Sequence, residues 1–114
     1  MNQENVSTQT AEIRRLNDQL RKTFVGGAIM ITPTVESLPP DQRAGLLAAI
    51  RSFDAFPSED DPYGEHDFGA VDFGSNKFFF KIDYYDRSME GASPDPTDPR
   101  CTTRVLTIMR TDEY

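Results

Sequence analysis

The sequence is short of cysteine, histidine, basic residues and long apolar runs, and each shortage excludes something. The single cysteine, Cys101, has no partner for an internal disulfide and no second thiol for a zinc pattern. It follows Pro99-Arg100 and reads as a structural or surface thiol rather than a nucleophile. No apolar run approaches the roughly 18 residues of a membrane span, and no signal peptide is recognisable. The expectation is a soluble, cytoplasmic protein with no membrane partner. With 12 Lys and Arg against 19 Asp and Glu, the formal net charge is -7. Direct binding to nucleic acid needs a basic footprint that is missing. No phosphate-cradling glycine loop is present, because Gly26-Gly27 lacks the helix and lysine that should follow. No serine-histidine-acid arrangement and no internal repeat occurs, and nothing calls for a cofactor.

What remains is one domain over residues 1–114, large enough for one core. Hydrophobic content of 37% with eight prolines implies long loops, while 11% aromatics argue against disorder. The charge is uneven. Asp54 to Asp98 carries 12 acidic and three basic residues, a net of -9, and the remainder nets +2. The acidity belongs to the middle of the chain, where it forms a solvated, loop-rich face or a surface for a basic partner.

Residues 1–8 read as a frayed end. Ile13, Leu16, Leu20 and Phe24 recur at helical spacing, which predicts a helix over 10–24, capped by Thr10 and stopped by Gly26-Gly27. Arg14, Arg15, Asp18 and Arg21 lie off that stripe. Ala28 to Thr32 reads as a strand ended by Pro33, and 34–38 as a turn or short helical piece. Leu38-Pro39-Pro40-Asp41 opens a second helix with Leu46, Leu47, Ile50 and Phe53 inward. Residues 55–65 are a loop with Phe56 tucked beneath it. His66 to Phe73 and Lys77 to Tyr85 form a hairpin through a three-residue Gly74-Ser75-Asn76 connection with a bulge. In it Phe68, Phe78, Phe80, Ile82 and Tyr84 make core, and Phe79, Lys81, Asp83 and Tyr85 share the other face. Residues 86–100 are a second long loop. Residues 102–109 read as a strand, with a helix starting at Pro99 as the competitor. The sum is an α+β fold: a mainly antiparallel sheet of three to four strands with two helices on one face.

Two constellations bear on chemistry. Glu65-His66-Asp67, joined by Asp83 and Lys81 from the paired strand, contains what a small metal-dependent hydrolase or nuclease uses. Neighbours on a strand point to opposite faces, so that reading requires an irregular triplet. Asp83-Tyr84-Tyr85-Asp86-Arg87 offers tyrosines as packers or interface anchors, with Arg87 pairing to Asp86 or Asp83. The larger acidic surface comprises Glu59, Asp60, Asp61, Tyr63, Glu65, Asp67, Asp72, Asp83, Tyr85 and Asp86. Its natural partner is a basic protein surface, such as that of a nucleic-acid-binding complex, met by a monomer or homodimer.

Several strings also resemble a known family, domain-of-unknown-function family 3768. They are Ile13-Arg14-Arg15-Leu16-Asn17-Asp18, the run Asp61 to Gly69 (DPYGEHDFG), Lys81 to Asp86 (KIDYYD), Ser93-Pro94-Asp95-Pro96, and Arg104 to Met109 (RVLTIM). The resemblance spans most of the chain and implies no established activity. It implies an alphaproteobacterial source and a place on mobile elements, hence an accessory or counter-defence role. Together with the acidic middle it leads to the expectation of a non-enzymatic, nucleic-acid-mimicking inhibitor of a defence complex, in the manner of an anti-CRISPR protein. The metal-dependent enzyme is the alternative.

Overall fold

The computed structural model describes residues 7–114. The expected frayed end lies mostly outside them, but Ser7 and Thr8 are already structured. Ser7, not Thr10, caps the first helix: its hydroxyl accepts from the Thr10 amide at 3.0 Å, and α1 runs over Thr8–Thr23. The helix ends before the two glycines. Phe24 itself takes the left-handed conformation at φ 60, and its amide donates to the Leu20 carbonyl at 2.8 Å.

β1 (Ala28–Ile31) follows, then a single helical turn, α2 (Pro33–Glu36), and α3 (Pro40–Arg51), with Pro40 and Asp41 in its first turn as the sequence implies. After the long loop come β2 (Phe68–Phe73), β3 (Asn76–Tyr85), the second loop, β4 (Thr103–Arg110) and a closing 3-10 turn over Thr111–Glu113. The strand order is β1-β4-β3-β2. β2 with β3 and β3 with β4 are antiparallel, whereas β1 lies parallel to β4, so the sheet is mixed but mostly antiparallel.

The hairpin is tighter than the sequence suggests. Phe73 pairs directly with Asn76, leaving a two-residue turn without the expected bulge. Gly74, at φ 62 in the first turn position, supplies the conformation such a turn needs. β2 also starts two residues later than expected, because His66 sits in the left-handed region at φ 58 and breaks the extended run.

One face of the sheet carries Val71, Phe78, Phe80, Ile82, Leu106 and Ile108 against Leu20, Val35, Leu46 and Ile50 from the helices. Each such side chain contributes about 1.5–3 kcal/mol on full burial. Phe68 is not part of this core. It pairs with Lys81 and shares the opposite face, where its ring packs 5.0 Å from Phe79. The core-facing neighbour is Gly69, opposite Phe80. The strand 103–110 prevails over a helix because its alternate residues complete both the core face and two ladders at once.

Candidate functional site

The loop between α3 and β2 is held from beneath by α1. Arg14 donates to the Gly64 carbonyl at 2.6 Å, and Asn17 donates to the Glu65 carbonyl at 3.0 Å. Asn17 is fully buried. Its amide nitrogen also reaches the Tyr84 hydroxyl at 2.7 Å, and its oxygen accepts from Arg104 Nε at 2.8 Å. The Tyr84 hydroxyl in turn donates to Glu65 Oε1 at 2.7 Å. Burial, with the bond to Glu65, pushes the Tyr84 phenol far above its ordinary value, so it stays protonated and donates.

Arg21, placed off the apolar stripe by sequence, is 1% exposed. Its guanidinium donates to the carbonyls of Phe53 at 2.8 Å and Ile50 at 3.4 Å, just where α3 ends and leaves carbonyls without helical partners. It also meets Asp18 at 3.0 Å and lies over the rings of Phe56 and Phe80. A polar stripe of α1 is therefore inside because it serves chain ends that an apolar stripe would leave unpaired.

The Glu65-His66-Asp67 triplet is irregular, as any convergence of its members requires, yet its side chains disperse. His66 Nδ1 lies 2.9 Å from Asp18, its ring stacks on Phe56 at 3.9 Å, and its amide donates to Asp61 Oδ1 at 3.0 Å. Glu65 turns to Tyr84. Lys81 and Asp83 pair with each other at 2.9 Å on the far face of the sheet. Among the described residues no three His, Cys, Asp or Glu side chains come together as a metal ion would need. Asp67 is half-buried, and desolvation followed by the charge of Glu65 holds its carboxyl above the ordinary aspartate value.

The acidic surface divides in the same way. Asp61 is buried and anchors His66. Asp86 accepts from Ser88 Oγ and the Glu90 amide, organising its own loop, and Arg87 reaches the Pro99 carbonyl rather than Asp86 or Asp83. Tyr85 is half-buried, bridging to Ala92. Asp72 stands exposed beside Lys77 at 4.0 Å. Glu59 is exposed, Asp60 half-buried, and Tyr63 is 77% exposed at the turn of the loop. Cys101 is half-buried, with its thiol against the carbonyls of Asp95 and Asp98.

The pattern of a family described as "Protein of unknown function (DUF3768)" matches residues 31–113 of the 114. The chain belongs to the DUF3768 family. No curated protein and no solved structure matches it. The string Ile13 to Asp18 lies outside the DUF3768 match, while the other four lie within. In space that string and Asp61 to Gly69 are one assembly, joined through Arg14, Asn17 and Asp18. The residues that sequence reasoning missed here are Asn17, Arg21 and Arg104. The signal available was their polar character on or beside a helical apolar stripe or a strand and, for Asn17 and Arg104, their place in the strings that resemble the family. No helix among the described residues is long and apolar enough to cross a membrane.

Proposed function

We propose that this chain is a non-enzymatic binding protein whose acidic loop engages a basic protein surface. The observation that carries the reading is Tyr63, a large aromatic left 77% exposed at the tip of a loop that is tied down along its inner side. Tyrosine offers large contact area for little ordering cost, and a loop already fixed loses little freedom on docking. Glu59 and Asp60 precede it in the same loop, within a segment of net charge -9. In the sharper form of the proposal these carboxylates stand in for phosphates in an Arg/Lys groove, as an inhibitor of a host defence complex would arrange them. Attraction of this kind speeds encounter and weakens with salt.

The test separates display from scaffold. Asp61 and Glu65 hold the fold, so the informative variant is E59Q/D60N/Y63A. Tagged wild-type chain and variant are used to co-purify proteins from a native host at low and high salt. The reading expects a basic protein retained by wild type at low salt, released at high salt and lost with the variant. Equal retention by the variant overturns it.

A further inference from the structure

A cavity of about 600 Å³ opens on the side of the molecule formed by α1, the Gly26-Gly27-Ala28 run and the start of β4. Its volume falls within the range of small-ligand sites. In a chain with seven more acids than bases, the charged residues that line it are all arginines: Arg15, Arg87 and Arg104. Leu16, Pro99 and the main chain at the two glycines supply apolar and backbone wall. Gly27 is required there, because a Cβ would meet the Arg104 carbonyl oxygen at 2.5 Å.

Arg104 is the decisive group. It is 3% exposed, and among the described residues no carboxylate lies within ion-pair distance of it. Its guanidinium is fixed by Asn17 through Nε and by the Pro96 carbonyl through Nη2, and it lies 5.2 Å from the Tyr84 ring centre. Nη1 has no hydrogen-bond partner among the described residues. A buried cation normally has an anion beside it. Among the described residues Arg87 likewise has no carboxylate partner, and its side chain makes one contact, of 3.4 Å, to the Pro99 carbonyl. Arg15 is paired with Glu12 at 2.6 Å, and Glu65 and Glu12 act on Arg104 only from beyond contact, so the wall of the cavity presents two guanidinium groups, Arg87 and Arg104, with no carboxylate against them among the described residues.

We propose that this cavity binds a phosphate monoester of nucleotide size, with the phosphate between Arg87 and Arg104 and the organic part against Leu16 and Pro99. A phosphate monoester carries close to two negative charges at neutral pH and accepts forked guanidinium donors. A monocarboxylate would leave one cation unmatched. This site is independent of the acidic loop, and neither proposal requires the other.

The full chain, labelled with nitrogen-15, is titrated with adenosine monophosphate, inorganic phosphate, adenosine and succinate while the amides of Gly26, Gly27 and Thr103 are followed. Saturable movement with adenosine monophosphate is expected, weakened about tenfold in Arg87→Gln, which removes one charge-assisted contact. Glu12→Gln frees Arg15 and is expected to tighten binding. Inorganic phosphate matching adenosine monophosphate would support the phosphate position between Arg87 and Arg104 and overturn the placement of an organic part against Leu16 and Pro99. No saturable movement at millimolar adenosine monophosphate, equal binding by Arg87→Gln, or adenosine or succinate acting as well as the nucleotide would overturn it.

Discussion

Asn17 joins three separate parts of the chain through one amide: the Tyr84 hydroxyl, the Glu65 carbonyl and the Arg104 guanidinium. Replacing it with alanine strands the buried Arg104 Nε and the half-buried Glu65 carbonyl, and leaves the Tyr84 hydroxyl with its bond to Glu65 Oε1 alone. Hydrogen bonds to charged groups are worth more than neutral ones, and stranded buried groups carry their full desolvation cost. Asn17→Ala is therefore expected to lose about 3 kcal/mol in urea unfolding, a large share of an ordinary domain's stability. Asp67 acts with the opposite sign. Its carboxyl is held above the ordinary value of 3.8 by desolvation and by Glu65, so the folded state binds that proton more tightly than the unfolded one. The stabilising effect of the proton is complete below the unfolded value and is lost as pH rises through the folded one. At neutral pH the ionised Asp67 thus opposes folding. Asp67→Asn is expected to melt higher than wild type at pH 7 and together with it near pH 3, measured by circular dichroism. A gap of the same size at both pH values would contradict this account.

At the scale of elements, β2 depends on a residue with no side chain. A Cβ on Gly69 would fall 2.7 Å from the Phe53 ring and closer still to Phe80, which is fully buried. Phe53 is itself set edge-on to Phe80 at 5.2 Å and to Phe56 at 4.9 Å, so neither ring has room to turn. Gly69→Ala is expected to destabilise by about 3 kcal/mol, the upper part of the usual range for overpacking, with a matching fall in urea midpoint. The same aromatic layer shows how far the sequence could be read. Phe78, Phe80 and Ile82 announce their face through strict alternation over a ten-residue strand. Phe68 misled, because register decides its face, and register depended on a turn one residue shorter than expected. The parallel pairing of β1 with β4 joins residues more than 70 positions apart, and no local pattern carries that information. Arg21 and Arg104 were illegible for a related reason. A buried arginine is identified by the carbonyls and rings it meets, and those come from other elements.

For the molecule as a whole, the excess of seven negative charges and the six close lysine or arginine pairs with carboxylates among the described residues act in opposite directions on stability in salt. Three of the pairs, Arg15–Glu12, Arg100–Asp98 and Arg110–Asp112, join residues two or three apart on the surface and are worth little individually. The excess charge acts over a longer range. At an ionic strength of about 10 mM the screening length is about 30 Å, comparable to the molecule's extents of 42 × 37 × 23 Å, so every carboxylate repels the rest. At about 150 mM it falls to about 8 Å, which silences repulsion across the molecule but leaves contacts of 3 Å largely intact. The repulsive term is therefore the one that salt removes. Melting temperature is expected to rise by a few degrees between these two conditions, the equivalent of ~0.5–1 kcal/mol for a domain of this size, with sodium chloride as the salt. A fall instead would mean that the surface pairs outweigh the excess. It would also weaken the case for the acidic segment as a long-range attractor of a basic partner, since the same unscreened field is required for both effects.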